Sequence, residues 1–193
     1  MIFISCCLNS LNGEYMNIEG NKILLRAIEE KDNGILQELI NDPDIENMVC
    51  GHSFPVSQRF QNKWFDEESA SPNTIRCAIE TINDNKTVGT IILSNIDYIN
   101  GNAEIHIKIL TSFHHCGIGK EAVDLLVEYA FNNLRLHLVY AEILDYNNAS
   151  KALFKKCRFE YNGTLKNRIF KNGNYIDVLV YSIENGEFGC AKR

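Results

Sequence analysis

Ile105, Ile107 and Ile109 alternate with Glu104, His106 and Lys108 along residues 103–110, and a period of two residues predicts a strand with one apolar and one polar face. Consecutive polar positions on one face mark it as wet or functional. Thr74–Ile82 and Thr87–Ile96 are rich in β-branched residues and flank a polar link, Asn83–Lys86, so they predict an antiparallel hairpin. Asn100-Gly-Asn102 turns the chain into the alternating strand, and Ile23–Ile28 and Leu138–Leu144 predict further strands. Helical spacing appears over Glu29–Ile40, where Ile35, Leu36, Leu39 and Ile40 recur before Asn41-Asp-Pro43 ends the run. A second helix is predicted after Pro55, with Ser57 as its cap and Phe60, Trp64 and Phe65 as its buried stripe. Gly117–Leu134 carries Ala122, Val123, Leu125, Leu126, Val127, Tyr129, Ala130 and Leu134, an apolar surface suited to a helix lying across a sheet. Residues 148–157 predict a short helix, and Lys171-Asn-Gly-Asn174 splits Glu160–Ile183 into a hairpin, because Asn-Gly is the favoured two-residue turn.

The order β, α, α, β, β, β, α, β, α, β, β combines an antiparallel meander with a β-α-β crossover. It predicts an α+β fold with a single mixed, mostly antiparallel sheet flanked by helices. No repeat or Pro/Gly-rich linker divides the chain, and its prolines, Pro43, Pro55 and Pro72, all fall in the first half. Residues 1–16 read as an N-terminal extension, 17–185 as one domain and 186–193 as a C-terminal tail. The apolar opening, Met1–Leu8, lacks a basic flank and falls far below the span of a bilayer, so neither export nor anchoring is expected.

Composition narrows the class. With 193 residues, 45% hydrophobic and 23% charged, the chain fits one globular domain. Its 19 Lys and Arg against 25 Asp and Glu give a net charge of −6, which disfavours nucleic acid as a partner and suits a cationic substrate. The seven cysteines, Cys6, Cys7, Cys50, Cys77, Cys116, Cys157 and Cys190, are odd in number and show no zinc-ligand spacing, so they read as reduced thiols of a cytoplasmic protein. His114-His115 has no carboxylate or cysteine partner at a metal-ligand spacing, and no metal is expected.

The most informative stretch is His114-His-Cys-Gly-Ile-Gly-Lys120, between the alternating strand and the long helix. Its glycines let the backbone approach a ligand, and the helix that starts there aims free N–H groups and a positive dipole end outward, which is a pyrophosphate cradle. It lacks the Lys-Ser/Thr of a P-loop and the third glycine of a dinucleotide fingerprint.

Here the sequence resembles the GNAT superfamily of acetyl-CoA-dependent N-acetyltransferases, whose signature Gln/Arg-x-x-Gly-x-Gly/Ala falls at the same junction. A second matching feature is Asn147-Asn-Ala-Ser150 followed by Phe154-Lys-Lys-Cys-Arg-Phe159, similar to the family's Asn-x-x-Ala/Ser run ending in Tyr-x-Lys-x-Gly-Phe. Gly163-Thr-Leu-Lys166 and Asn172–Asp177 resemble the branch of polyamine and ribosomal-protein N-terminal acetyltransferases. The resemblance spans about Ile23 to Ile183.

It implies that Cys116, Gly117, Ile118, Gly119 and Lys120 offer backbone N–H groups to the pyrophosphate of acetyl-CoA, with His114 on the phosphate side where Gln or Arg is usual. Main-chain groups of Ile107 and Ile109 would meet the pantetheine arm, as would Asn147, and Phe154 and Lys156 would lie on the cofactor side. An attacking ammonium, with a pKa near ~10.4, must first lose a proton. The resemblance puts Glu104 in the base role, His106 in reserve, and the Ile109 N–H on the developing oxyanion. Phe154 stands where many relatives have the tyrosine that protonates the departing thiolate, and Arg158 replaces the glycine before Phe159. The implied activity is transfer of acetyl to a primary amine of a small molecule, amino sugar or protein N-terminus in a ternary complex. A non-catalytic CoA-binding sensor or assembly module is the alternative that Phe154 raises. Acceptor contacts are expected from Asp42 to Glu68, including Glu46, His52, Phe54, Trp64, Phe65, Asp66, Glu67 and Glu68. No nucleic acid or membrane partner is expected, and a homodimer through exposed strands or the C-terminal hairpin is compatible with the pattern.

Overall fold

The structure is a computed structural model that describes residues 17–51, 54–68 and 71–188. The expected N-terminal extension, the end of the C-terminal tail, and His52 lie outside the described residues, as do Cys6, Cys7 and Cys190. The chain forms β1 (Ile18–Glu19), β2 (Ile23–Ala27), α1 (Asn33–Asn41), α2 (Pro43–Glu46), α3 (Gln58–Glu68), β3 (Ile75–Thr81), β4 (Thr87–Asp97) and β5 (Asn102–Ile109). It continues through α4 (Ile118–Asn132), β6 (Leu138–Leu144), α5 (Asn148–Lys156), β7 (Glu160–Lys171), β8 (Asn174–Glu184) and α6 (Asn185–Phe188). The eight strands make one sheet in the order β1-β2-β3-β4-β5-β6-β8-β7, antiparallel except for the β5–β6 pair.

The two faces of the sheet are covered differently. On one, Ile91, Leu93, Ile105, Val139 and Ala141 pack with Ala122, Val123 and Leu126 of α4 and with Phe154 and Cys157 of α5, all shielded from water. On the other, Leu36 and Leu39 of α1 and Trp64 of α3 line a pocket floored by Thr90, Ile92 and Lys108. At the sheet edge, Arg26 is buried against Asp32 at 2.7 Å and Glu80 at 2.6 Å, with Thr87 bonded to both Arg26 and Asp32. This network fastens the segment before α1 to β2, β3 and β4.

The structure adjusts several expectations. The first helix starts at Asn33, after a 3-10 turn over Glu30–Asp32. Pro43 does not simply end that helix: it opens α2, where the Asp42 carboxylate accepts from the Asp44 and Ile45 amides. Proline suits this first-turn position because its missing N–H would have had no partner there. Ser57 does bond the Phe60 amide at 3.3 Å, as a cap should. Phe60 itself is 62% exposed, however, and Gln61 takes the buried place beside half-buried Trp64 and Phe65. At the β7–β8 turn, Asn172 and Gly173 both have positive φ, 50° and 82°, as the two-residue hairpin requires.

One topological feature governs the site. β5 and β6 pair only over Asn102↔Leu138, Ala103↔Val139 and Glu104↔Tyr140. Beyond that point β5 stays with β4 as far as Gly89↔Ile109, while β6 stays with β8 as far as Leu144↔Val178. The sheet therefore opens into a V whose apex lies at Glu104 and Tyr140.

Candidate active site

The open edge of β5 forms one wall of this cleft. The Leu110 amide bonds the Val88 carbonyl at 2.9 Å, which fixes the phase of the β4–β5 ladder. Alternation then turns the amides and carbonyls of Ile107 and Ile109 away from β4 and into the V. In a continuous sheet these groups would bond the next strand; here the amide and carbonyl of Ile107 and the amide of Ile109 are left for an extended, amide-bearing ligand, while the Ile109 carbonyl meets the His114 ring.

The start of α4 closes one end. Gly117 is its N-cap with φ 84°, a left-handed backbone that only glycine adopts without strain, and no side chain caps the helix. The amides of Gly117, Ile118, Gly119 and Lys120 are the ones for which an α-helix has no internal partner. A Cβ on Gly119 would stand 3.3 Å from Ile109 Cδ1 and 3.6 Å from Leu153 Cδ1, so the helix start is pressed between β5 and α5. Free amides beside free strand edges fit a ligand with a diphosphate at one end and amides along its arm, as CoA has.

On the other face of β5 stand polar side chains. Glu104, 12% exposed at its side chain, accepts from Asn95 Nδ2 at 3.0 Å and lies 3.5 Å from His106 Nε2. His106 Nε2 also bonds Ser94 Oγ at 2.7 Å. Burial raises the Glu104 carboxyl above its ordinary value, partly offset by Asn95. Burial lowers His106, so at neutral pH the two form a polar contact and not an ion pair. Across the V, Tyr140 and Glu142 of β6 face the same side. Burial, and then the charge of Glu104, raise the Glu142 carboxyl. Cys50 donates to the Glu142 carbonyl at 3.5 Å, and burial lifts its thiol to about 11. The amine of Lys108, further along β5, is lowered by burial.

The residues named from sequence are thus placed as follows. Glu104, His106, Ile107 and Ile109 line the V, and Cys116 to Lys120 surround the start of α4. The His114 ring turns back, its Nε2 lying 3.0 Å from the Ile109 carbonyl. Asn147 caps α5 by accepting from the Ser150 amide and donates to the Met48 carbonyl, which gives it a structural role. Phe154 is buried edge-on to Phe159, their centroids 4.9 Å apart, and Lys156 is exposed at the end of α5. Two tyrosines that flank α5 in the chain are also engaged: Tyr146 donates to the Asn47 carbonyl, and Tyr161 shares a bond with Thr164. In α3, Asp66 and Glu67 are exposed, with Glu67 held by Lys63, while Phe54 is 84% exposed and Glu46 is engaged by Lys171. Sequence reasoning missed Glu142. The alternation in Leu138–Leu144 would have put it on the face of Tyr140, but its nearness to Glu104 follows only from the parallel pairing.

A splayed parallel pair beside an uncapped helix start defines a class, and the family comparison agrees with it. Residues 22–160 match the acetyltransferase (GNAT) domain model, and the chain belongs to that family, whose members transfer acetyl from acetyl-CoA. It is 30% identical over 177 residues to the probable N-acetyltransferase YjcK of Bacillus subtilis, covering 87% of this chain and 97% of that one. It is 27% identical over 161 residues to the spermidine N(1)-acetyltransferase of Vibrio cholerae, covering 82% and 90% of the two chains. The crystal structure of spermidine N-acetyltransferase from Vibrio cholerae in complex with CoA and spermine superposes with a TM-score of 0.80 at 24% identity, covering 86% of this chain and 98% of that one. The chain is an acetyl-CoA-dependent N-acetyltransferase.

Proposed function

We propose that the acceptor is a primary alkylamine bearing further positive charge, of the polyamine class, and that Glu104 is the base. The observation that carries this reading is the approach of two part-buried carboxyl groups, Glu104 and Glu142, at the apex of the V. Paired carboxylates out of bulk water favour a cation, and the net charge of −6 draws one in. Relatives that are spermidine acetyltransferases support the same class.

In this reading Glu104 takes the ammonium proton, directly or through water, and the freed nitrogen lone pair attacks the thioester carbonyl. The Ile109 amide holds the oxygen as it becomes negative, and the C–S bond then breaks to release thiolate. The nitrogen, made acidic by its new bond to carbon, gives up its second proton to water; Phe154 offers no proton, so the thiolate leaves as such and takes that proton back from water. With a thiol pKa near ~8.5, this route is slower than one with a general acid but open.

The test is thiol release from acetyl-CoA by the purified chain with spermidine, spermine, glucosamine or a short peptide as acceptor. Turnover with the polyamines above the others is expected. Turnover only with the amino sugar or the peptide overturns the acceptor class. Binding of acetyl-CoA without transfer to any of them makes the chain a CoA-binding module.

A further inference from the structure

A cation strengthens the hold of the start of α4 on a diphosphate, and the lysine of that helix start is otherwise engaged. Lys120 is paired with Asp124 one turn on. The His114 ring is committed to the Ile109 carbonyl. A different element reaches the same place. The turn between β1 and β2 is fastened to α4 because the Glu121 carboxylate accepts from the backbone amides of both Asn21 and Lys22, the latter at 2.9 Å. Gly20 permits this approach, since a Cβ there would run into the Glu121 carboxylate and Leu125. The Lys22 carbonyl is held in turn by the Ile82 amide at 2.9 Å. With its backbone fixed on two sides, Lys22 extends its ammonium to the Cys116 carbonyl at 3.1 Å, and it lies 3.5 Å from where a Cβ on Gly117 would sit. Among the described residues, no carboxylate forms an ion pair with it.

We infer that Lys22 is a cofactor-binding residue: its ammonium, carried on the β1–β2 turn, pairs with the diphosphate of CoA at the start of α4. This rests on the reading of that helix start as the phosphate site. An ammonium hydrogen-bonded to a neutral carbonyl exchanges that partner for a phosphate oxygen at little loss, because the charged acceptor makes the stronger bond. Glu121 contributes by position. Its charge is spent on backbone amides of the turn, so the same carboxylate that would oppose a phosphate anchors the lysine that attracts it. The N-terminal hairpin is thereby part of the cofactor site, although it lies far from the glycine motif in sequence.

The experiment is calorimetric titration of wild type, Lys22→Met and Lys22→Arg with CoA, dephospho-CoA and pantetheine, with a thermal melt of each protein. Methionine keeps much of the apolar stem and loses the charge. Loss of one charge-assisted bond should weaken CoA and dephospho-CoA about 10-fold alike, with pantetheine unchanged and arginine largely restoring affinity. In turnover, KM for acetyl-CoA should rise by the same factor with kcat unchanged. A loss confined to CoA, absent with dephospho-CoA, would move the contact to the 3′-phosphate and overturn the diphosphate assignment. Equal affinity in wild type and Lys22→Met, or a loss shared with pantetheine or with the melting temperature, would overturn Lys22 as a binding residue. If wild type bound no CoA, the phosphate site itself would fall, an outcome distinct from either.

Discussion

Gly89 and Ile109 face each other at the end of the β4–β5 ladder, so closely that a Cβ on Gly89 would run into the Lys108 carbonyl oxygen and stand 3.0 Å from Ile109 Cα. The obstacle is backbone, which cannot rotate away as a side chain can. Gly89→Ala must therefore push β5 outward at the residue whose amide is assigned to the oxyanion. Overpacking of this kind destabilises by about 1–3 kcal/mol, to be read from urea denaturation. Because the shift is focused on Ile109, kcat should fall in the surviving folded protein as well.

Asp32 gives the fold a pH limit. Burial alone would raise its carboxyl, but the Arg26 guanidinium, with the Glu29 amide and the Thr87 hydroxyl, holds it below the ordinary range. A carboxyl lowered in the folded state contributes stability that is complete above its unfolded value, near ~3.9, and is lost as pH falls through the lower folded value. Asp32→Asn should cost about 3 kcal/mol at pH 7, since it leaves a buried guanidinium short of a partner. The gap from wild type should narrow in denaturation curves taken below about pH 4.

Glu104 should set the acid limb of activity. A base works only when deprotonated, and its carboxyl is raised by burial. The limb of kcat/KM should therefore lie above the ordinary glutamate value of about 4.3. Glu104→Gln should lower kcat/KM by about 10²–10⁴ and abolish the limb, while acetyl-CoA binding measured by calorimetry stays the same. His106→Gln should keep the limb. If the limb vanished with His106→Gln and survived Glu104→Gln, the histidine would be the base.

How much of this was legible in the sequence depended on how local the determinant was. The alternation of Ile105, Ile107 and Ile109 with Glu104, His106 and Lys108 is a property of one strand, and it appears as read. The Asn172-Gly173 turn is likewise set by its own two residues. Pro43 was ambiguous because the residue that ends one helix can also open the next, and only the Asp42 cap decides between them. Phe60 misled because helical spacing gives a stripe but not which side of it the sheet will cover. Glu142 beside Glu104, and Lys22 beside Cys116, arise from pairing and docking of distant segments, for which no short pattern exists. The motif gives the position of His114 in the chain, but the contact of its ring with the Ile109 carbonyl follows from the loop folding back on β5.

Arg158 stands where the family pattern has glycine, and the turn keeps the glycine's conformation: its φ is 68°. The Arg158 amide bonds the Lys155 carbonyl and the Phe159 amide the Phe154 carbonyl, each at 3.0 Å, which is the closing pair of a helix ended by a left-handed residue. That backbone costs a residue with a Cβ about 1–2 kcal/mol, and glycine would relieve it. The relief is partly offset by the greater freedom glycine has in the unfolded chain, roughly 0.5–1 kcal/mol. Arg158→Gly should therefore raise stability by at most about 1.5 kcal/mol in urea denaturation, the relief less the entropic loss and whatever the arginine side chain contributes. Since the turn already has the required geometry, kcat and KM for acetyl-CoA should not move. A change in either would show that arginine at this position acts on the site and not only on the end of α5.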